Sequence, residues 1–492
     1  MNLTDLEGPG RPGGGDGLHA RCSRVHIDSG TAGARLVPER TRKGMAMAMN
    51  DIGKRIRLLA EAGVAASLVL TGFAPAASAA GPNTVAQWDQ IAEDTVVRSG
   101  AFQIEGDIYM AYTQTAVYDA VVAIDGTYAP LGPTIAAPAG ASADAAVVEA
   151  AFETLVAYFP TAADALATAR VASLAAIADG TAKTDGVVVG HDAAQDLIAM
   201  RTGDGRQTPI GSTSSFPTTT PGPGVWRLTP PGYLAPQTPW AGTMKPFVLP
   251  RADEFLPPPP PELSSATWVA DVSEIKAMGQ DTSTLRTPEE TATAKFWTAN
   301  VIRQDNRLVR DIAAARHFGL LETARLAAMV TVVDADAGIA VLNAKYHYLF
   351  WRPVTAIDPM SVTNDGFGPV PGVDDGNPAT IEQVGWRPLV VTPNHPEYPA
   401  AHGTLTSALD EVLVDFLGTN LIDVDIHGFD ANGAAGNLDA VHHFDRANEL
   451  RSEIIGARLW AGLHYRSSSV VGVSLGRSVA KYDLRHAFQP VP

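Results

Sequence analysis

Apolar residues recur at three- and four-residue spacing in alanine-rich segments over most of this chain after residue 85. This spacing places apolar side chains on one face of an α-helix, and alanine is the strongest helix former. Two short runs, near 388–392 and 421–427, are candidates for minor strands. The sequence therefore predicts an all-α protein. The longest helical patterns fill most of 85–201 and the segments 289–318, 321–351, 402–418, 444–463 and 470–487.

A segment rich in Pro, Thr and Gly, from about Gly203 to Leu263, separates the two helical regions. Such a composition is typical of a flexible linker. Large aromatic side chains, however, are costly to leave in water. The segment contains Trp226, Trp240, Phe247 and Phe255. We therefore predict a strap packed on the protein surface. The predicted organisation is an upstream extension with a signal peptide (1–80), an N-terminal helical bundle (81–205), the Pro-rich strap (206–263) and a C-terminal helical bundle (264–492).

The stretch from Asp51 to Gly81 has the pattern of a secretory signal peptide. A basic region is followed by an apolar run from Ala62 to Phe73 and then by the small residues that end at Ala80. The apolar run is too short to be a stable membrane anchor. We therefore expect cleavage near Ala80 and a secreted or otherwise extracytoplasmic product.

The charge balance narrows the classes of partner. The formal net charge is −17, which argues against a nucleic-acid partner because phosphate backbones require a basic face. The only cysteine, Cys22, precedes the predicted cleavage site, so the expected mature chain has no disulfide and no thiolate metal site. Any anion site must therefore be a local cluster of cations.

The first candidate cluster lies in the segment "KYHYLFWRP". Lys345 and Arg352 are seven residues apart, about two helical turns, so a continuous helix would place both side chains on one face. Pro353 is expected to end that helix directly after Arg352. Two other interpretations stay open: the cations extend from a buried helix to solvent, or they pair with Asp334 or Asp336 upstream.

Two further segments contribute imidazoles and a third cation. His402 lies in "PEYPAAHGT", at the start of a helical pattern, and "ARLWAGLHYRSSS" contains Arg458 and His464. The last two residues are six apart and converge only if the helix ends or bends near Gly462. A single histidine of this kind is more often structural than functional. Together with Lys345 and Arg352, the set predicts an oxyanion pocket in an otherwise acidic chain.

In order, these segments resemble the three signature motifs of the vanadium-dependent haloperoxidase and type 2 phosphatidic acid phosphatase superfamily. The signatures read Lys-x6-Arg-Pro, Pro-Ser-Gly-His and Ser-Arg-x5-His, and here they span 345–353, 399–402 and 457–464. The stretch from "VAQWDQIAEDTVV" to the end resembles the bacterial haloperoxidase-like branch of this superfamily. The resemblance implies two packed four-helix bundles, of which the C-terminal one is catalytic.

The resemblance also implies roles for individual residues. Vanadate would be the cofactor, with His464 as its one covalent ligand and His402 as acid and base. The side chains of Lys345, Arg352 and Arg458 would neutralise the vanadate oxygens, and Ala401 would offer its backbone N–H. The substrates would be hydrogen peroxide and a halide or small organic acceptor, and Lys345 would polarise the peroxide. A homodimer is compatible with this picture.

Three residues depart from the superfamily pattern. Ala400 stands where the superfamily has serine, so a hydroxyl donor to the anion is missing, and Ala401 stands where it has glycine. Ser468 stands where the phosphatases have the aspartate that orients the nucleophilic histidine. We expect phosphatase chemistry to lose more from this last change than vanadate binding does. Ser467, Ser468, Asp445 and Glu449 are the candidates to replace that aspartate.

Three functional hypotheses follow. The first is a secreted vanadate-dependent haloperoxidase-like enzyme that oxidises halide with hydrogen peroxide. The second is an acid phosphatase of the same superfamily, in which His464 would form a phosphohistidine and His402 would protonate the leaving alcohol. The third is a degenerate anion-binding protein that kept the fold and lost the chemistry, for which Ala400 is the main argument.

Overall fold

The computed structural model describes residues 83–208, 222–363, 374–428 and 440–491, and the predicted signal peptide lies outside them. Within these residues the chain is mostly helical with one two-stranded sheet, which confirms the predicted all-α class. The helices are α1 (Thr84–Arg98), α2 (Gln103–Asp125), α3 (Ala143–Tyr158), α4 (Ala163–Ala175), α5 (Thr181–Arg201), α6 (Ala266–Met278), α7 (Pro288–Phe296), α8 (Val301–Ala315), α9 (Leu320–Tyr348), α10 (Pro353–Ile357), α11 (Ala401–Leu417), α12 (Ala447–Trp460) and α13 (Arg466–His486).

Helices α2 and α9 form the centre of the hydrophobic core and pack along each other. Both are apolar around most of their circumference, as expected of helices that are covered on all sides. Among the described residues, α9 is the helix long and apolar enough to cross a membrane, but 94% of its most apolar window is buried inside the protein. It is therefore a core helix by packing. The predicted division into two four-helix bundles stays a prediction.

The sheet is an antiparallel pair formed by β1 (Leu421–Gly428) and β2 (Ala440–Arg446). Alternate side chains of β1 are buried, which explains the strand predicted at 421–427. The run near 388–392 forms only an isolated bridge between Gln280 and Pro388. Residues 444–446 were predicted as the start of a helix but lie in β2, and α12 begins at Ala447.

The helix predicted over 289–318 is two helices, α7 and α8. The capping box of Thr287 and Glu290 fixes the start of α7. A new start follows at Asn300, whose side chain accepts a hydrogen bond from the backbone N–H of Arg303 at 3.3 Å. The break at 297–300 places Trp297 near α12, where its indole N–H donates to Glu453 at 2.7 Å.

The Pro-rich strap, in its described residues 206–208 and 222–263, packs on the protein, as predicted. Trp226 and Trp240 are buried, and Phe247 and Phe255 pack against the core. Asp336 of α9 holds the strap by accepting three backbone N–H groups. The acceptors are its two carboxylate oxygens, at 2.6, 2.8 and 2.9 Å from the nitrogens of Phe247, Val248 and Leu249. The strap is therefore a fixed part of the fold.

Helices α11 and α13 approach each other closely through glycine. A Cβ at Gly476 would lie 1.9 Å from the carbonyl oxygen of Thr404, and one at Gly472 would lie 2.4 Å from that of Ala400. Any larger residue would push the two backbones apart. This contact fixes the beginning of α11, where His402 lies, against the helix that follows His464.

Three buried carboxyl groups meet between α2, α8 and α9. Asp305 and Asp334 hydrogen-bond to each other, and Asp107 is close enough for its charge to interact with both. Burial raises the pKa of Asp305 to about 7 and raises the pKa of Asp107 and Asp334 well above the usual range. The native state therefore keeps protons here that the unfolded chain loses near pH 4.

Because the native state keeps these protons, Asp334→Asn should change the free energy of unfolding by an amount that depends on pH. Stability conferred by a raised carboxyl pKa is present at low pH and is lost as pH rises through the folded pKa. The loss is about 1.4 kcal/mol for each pH unit by which the folded pKa exceeds the unfolded one. Asparagine cannot ionise, so the free energy of unfolding of the variant should exceed that of the wild type by about 1–3 kcal/mol at pH 8. At pH 4 the two should differ little.

Urea unfolding at both pH values measures this difference. The exposed variant Asp311→Asn is the control, since its carboxylate is largely in solvent. An equal effect of Asp334→Asn at both pH values would contradict the prediction.

Candidate active site

Lys345 and Arg352 meet by a different route from the one predicted. Helix α9 ends at Tyr348, and Leu349 has a left-handed backbone with φ of 49°. Arg352 follows in extended backbone as the residue that precedes α10. The prediction of one continuous helix with both cations on one face is therefore wrong. The two side chains converge because the chain turns at Leu349.

The strap holds this turn in place. The backbone N–H of Trp226 donates to the carbonyl of Leu349 at 2.6 Å, and the N–H of Trp351 donates to that of Gly224 at 3.1 Å. These two bonds join the strap to the segment between Lys345 and Arg352. The strap thus positions a part of the candidate site.

Lys345 is fully buried and binds backbone carbonyls instead of the upstream aspartates. Its ammonium group donates to the carbonyl oxygens of Pro396 at 3.0 Å and Glu397 at 2.9 Å. Of the two predicted alternatives, Asp336 is occupied by the strap, and Asp334 hydrogen-bonds to Asp305.

Arg458 and His464 converge at a helix end, as predicted. Helix α12 ends at Trp460, and Gly462 adopts a left-handed backbone with φ of 76°. The backbone N–H groups of Leu463 and His464 then fold back to the carbonyl of Arg458, at 3.2 and 3.4 Å. This bend turns His464 toward Arg352, whose Nη1 lies 3.1 Å from Nε2 of the imidazole.

The predicted site residues share one buried region. Lys345, Arg352, Arg458 and His464 are each at most 2% exposed. His402, on the first turn of α11, is partly exposed and therefore lies on the solvent side of this group. Burial, followed by the charges of Arg458, Lys345 and Arg352, lowers the pKa of His402 well below the usual range.

None of the three buried cations forms an ion pair with a carboxylate in the described parts of the chain. Other arginines do: the buried Arg201 pairs with Asp204 at 2.9 Å, and the partly buried Arg310 pairs with Glu93 at 2.6 Å. In place of a carboxylate, Lys345, Arg352 and Arg458 have backbone carbonyls, which carry no full charge. The charge of Glu397 acts on Lys345 and Arg352 from beyond ion-pair distance, so three buried cations face one carboxyl group. Buried charges without full compensation are expensive, and this pocket is therefore suited to an anion.

The pKa values of the three cations reflect the same unfavourable burial of charge. Burial, with neighbouring cations, lowers the pKa of Lys345 well below its ordinary value. Burial lowers the pKa of Arg352 to about 10, and burial together with Arg352 lowers the pKa of Arg458 to about 9. A bound oxyanion would favour the charged forms and reverse these shifts.

His464 carries a carboxylate partner that the motifs did not predict. Its Nδ1 lies 2.9 Å from Oε1 of Glu397, a residue of the "PEYPAAH" segment that is 0% exposed. Arginine only donates hydrogen bonds, so Arg352 makes Nε2 of His464 the acceptor. The proton is then on Nδ1 and is donated to Glu397. The lone pair of Nε2 faces the cations.

The four candidates named for this role are therefore wrong. Ser467 bonds to Asp271, Asp445 lies beside His443 on the hairpin, and Glu449 caps the start of α12. Ser468 contributes only by helping to lower the pKa of Glu397, which burial raises to about 7. A signal for Glu397 was present, because it is the one acidic residue between the two prolines that lead into His402.

His395 is a second residue of the site that the motifs did not predict. Its Nδ1 lies 3.1 Å from Nη2 of Arg352, and its carbonyl accepts from Nε of the same guanidinium at 2.9 Å. Its ring lies against Phe102, with 6.0 Å between ring centroids. His395 therefore contacts Arg352 and forms part of the lining of the site.

Ala400 and Ala401 form the start of α11. Ala400 is the N-cap residue and provides no side-chain hydrogen bond to the first turn. In most helices a Ser, Thr, Asp or Asn side chain satisfies one of these N–H groups. The first turn, which includes the N–H of Ala401, is thus left without a side-chain cap beside a cationic pocket, an arrangement suited to an anion.

The donor set fits a tetrahedral oxyanion. It combines the Lys345 ammonium, two guanidinium groups and the lone pair at Nε2 of His464. Among the described residues, Nε of Arg458 is buried without a hydrogen-bond partner. Oxygens require the cations and the N–H donors, whereas a metal-centred oxyanion such as vanadate additionally accepts a nitrogen ligand.

Comparison with known proteins identifies the fold. Residues 325–491 match the VCPO second helical-bundle domain. Vanadium chloroperoxidase from Curvularia inaequalis is 27% identical over 271 residues, and this match covers 44% of the chain and 43% of that relative. The chain thus matches less than half the length of this curated relative.

Two solved structures are similar over most of the chain. A bacterial vanadium-dependent iodoperoxidase superposes with a TM-score of 0.65 at 22% identity and covers 84% of this chain and 98% of its own. A bacterial vanadium-dependent chloroperoxidase in its holo form superposes with a TM-score of 0.57 at 17% identity, covering 80% of this chain and 93% of its own.

The fold is therefore that of the helical vanadium-dependent haloperoxidases. Residues 325–491, which match the VCPO second helical-bundle domain, contain all of the predicted site residues. The resemblance drawn from the three motifs is confirmed.

The unpaired charge of Arg458 leads to a stability prediction. Arg458→Met removes a buried charge next to Arg352, so the anion-free protein should be as stable as the wild type or more stable. Sulfate at a hundredfold its dissociation constant should stabilise the wild type by about 2.7 kcal/mol, and this gain should largely disappear in the variant. Thermal unfolding with and without sulfate measures both effects.

The matched control is Arg310→Met, because Arg310 is paired with Glu93 and Asp89. Breaking that pair should cost about 3 kcal/mol and leave the sulfate effect intact. If Arg458→Met destabilises the anion-free protein as strongly as Arg310→Met does, the view of the pocket as built for an anion is wrong.

Proposed function

We propose that this protein is an exported vanadate-dependent haloperoxidase that oxidises halide, or a small organic acceptor, with hydrogen peroxide. The observation that carries the proposal is a group of three buried cations that form no ion pair with a described carboxylate: Arg352 lies 3.1 Å from Nε2 of His464, and the charges of Lys345 and Arg458 also act on this imidazole. The similar proteins described above are vanadium haloperoxidases. Export is supported by the signal-peptide pattern at 51–81.

Each side chain of the site has a role that follows from its chemistry. Nε2 of His464 offers the single nitrogen ligand, and the side chains of Lys345, Arg352 and Arg458 hold the oxygens by charge-assisted hydrogen bonds. Vanadate bound there would supply a Lewis-acidic centre that activates hydrogen peroxide toward halide. Burial of the cations excludes bulk water and strengthens these interactions.

His402 would move the protons. Burial and the three cations keep its pKa well below the usual range, so its imidazole is neutral near pH 7 in the empty pocket. A neutral imidazole on the solvent side can accept a proton from hydrogen peroxide as the peroxide enters. The resulting imidazolium of His402 would then be the acid that gives this proton back.

The direct test uses the full chain and orthovanadate. Calorimetry should show binding, and the loaded protein should oxidise iodide or bromide with hydrogen peroxide. His464→Ala should abolish both, since it removes the nitrogen ligand. His191→Ala, which removes a histidine on the surface of α5, should change neither. Absence of both vanadate binding and halide oxidation in the wild type would refute the proposal.

Ala400→Ser should increase activity. The serine hydroxyl restores the donor that the superfamily motif has at this position, and loss of one such donor typically costs about 10²–10³ in rate. It also supplies the missing N-cap of α11, worth about 1 kcal/mol of stability. Halide oxidation rates and thermal unfolding of the variant measure the two effects separately. Greater stability with no gain in rate would show that residue 400 does not contact the anion.

A second candidate is phosphate-ester hydrolysis at the same pocket. The observation that favours it is the Glu397 carboxylate on Nδ1 of His464, because such a partner is what a nucleophilic histidine needs. Nε2 would attack phosphorus while the ester P–O bond breaks, and His402, in the protonated form that a bound oxyanion favours, would donate its proton to the alkoxide. Water would then attack phosphorus and break the P–N bond, with one proton of the water passing to His402 and the electron pair of the broken bond returning to Nε2.

Phosphate release from a chromogenic ester distinguishes the two candidates. Release that is lost in His464→Ala, in a protein that does not oxidise halide, would favour the phosphatase. Stabilisation by oxyanions with neither activity would identify a protein that has kept the pocket and lost the chemistry.

A further inference from the structure

We infer that Glu397 is a positioning residue that fixes His464 with its Nε2 lone pair toward the oxyanion and joins the three motif segments. The anion in this inference rests on the proposed function, whereas the hydrogen bonds that define the histidine tautomer do not. Glu397 has no counterpart among the residues predicted from the motifs.

The contacts of Glu397 reach both of the other segments. Its Oε1 accepts from Nδ1 of His464 at 2.9 Å and from the backbone N–H of Tyr465 at 3.1 Å. Its carbonyl accepts from the Lys345 ammonium at 2.9 Å, and its backbone N–H donates to the carbonyl of Phe350 at 2.9 Å. One residue thus holds the lysine of the first motif and the histidine of the third.

Two bonds on opposite sides of the ring determine its tautomer. Arg352 can only donate, so it requires a lone pair on Nε2. Oε1 of Glu397, which also accepts from the Tyr465 N–H, is an acceptor and so requires a proton on Nδ1. The two requirements agree. If Glu397 were absent, the Nδ1–H would lose its acceptor, and the ring could rotate or place the proton on Nε2. A protonated Nε2 cannot ligate a metal-centred oxyanion.

The carboxylate has opposite effects on two classes of anion. Its negative charge weakly repels every anion that enters the pocket. For an anion that bonds to Nε2, the same charge raises the donor strength of the imidazole. Vanadate forms such a bond, whereas sulfate is held only by charge and hydrogen bonds. Removal of Glu397 should therefore weaken the binding of vanadate without weakening the binding of sulfate.

The experiment compares Glu397→Ala and Glu397→Gln with the wild type by calorimetry of orthovanadate and of sulfate. Glu397→Ala should bind vanadate about 10–100-fold more weakly, as is typical when the partner of a ligating histidine is lost. Its affinity for sulfate should be unchanged or higher. Glu397→Gln should lose less vanadate affinity, because the amide oxygen still accepts from Nδ1–H.

The matched control is Glu153→Ala. Glu153 also binds Nδ1 of a histidine, His191, at 2.8 Å, but on the surface formed by α3 and α5. This variant should bind both anions like the wild type. If Glu397 served only to stabilise the fold, the affinities for vanadate and for sulfate would fall by the same factor in Glu397→Ala. An unchanged vanadate-to-sulfate ratio in Glu397→Ala would overturn the inference.

A second measurement does not depend on vanadate. In protein labelled with ¹⁵N-histidine, the His464 signals, assigned by their loss in His464→Ala, should show a proton on Nδ1 in the wild type. They should shift toward the other tautomer in Glu397→Ala. If the wild type binds no vanadate, the proposed function fails while the tautomer still decides this inference. A wild-type proton on Nε2 would overturn it.

Discussion

The burial of three cations without a carboxylate partner is the constraint on which the rest of this structure depends. Within the described residues, Lys345, Arg352 and Arg458 are stabilised by main-chain carbonyls, which supply partial charges only. Carbonyls inside a helix are already engaged by the next turn, so only irregular backbone has them to offer. The site therefore lies where helices stop: at the turn after α9, at the bend after α12 and in the segment before α11.

Irregular backbone in the interior needs external support, and the Pro-rich strap provides much of it. The strap exchanges backbone hydrogen bonds with the turn at Leu349, and the hydroxyl of Tyr398 donates to the strap carbonyl of Pro258 at 2.6 Å. Asp336 anchors the strap in turn to the core helix α9. The strap thus links the site to the centre of the fold, where α2 and α9 each contribute more buried apolar residues than any other described helix.

Sequence periodicity predicted the long helices because apolar residues at helical spacing indicate a face that must be buried. Helices α2 and α9 bury such residues in the core. The turn at Leu349 was not predictable, since a left-handed leucine has no sequence signal and is uncommon. The bend at Gly462 was predictable, because glycine adopts that conformation readily. Glu397 was missed for another reason: it acts on a residue 67 positions away, and motif spacing carries no information about such a pair. The signal for Asn300 as a helix start was in the sequence and was overlooked.

The departures from the superfamily motifs act on different parts of the chemistry. Ala400 removes a hydroxyl donor from the anion, which weakens the hold on the oxygens and leaves the first turn of α11 without a side-chain cap. Ser468, by contrast, removes nothing, because Glu397 supplies the carboxylate from another segment of the chain. In the proposed site, His464 therefore keeps its carboxylate partner, while the donors to the oxyanion would lack one hydroxyl.

A pocket of this kind depends more on the bond to Nε2 of His464 than on hydrogen bonds to oxygen. That balance favours an anion whose central atom accepts a nitrogen ligand in its ground state. Phosphorus accepts one only in the transition state, so the missing hydroxyl donor at Ala400 is an argument for vanadate over phosphate, whereas the carboxylate of Glu397 supports His464 in either chemistry.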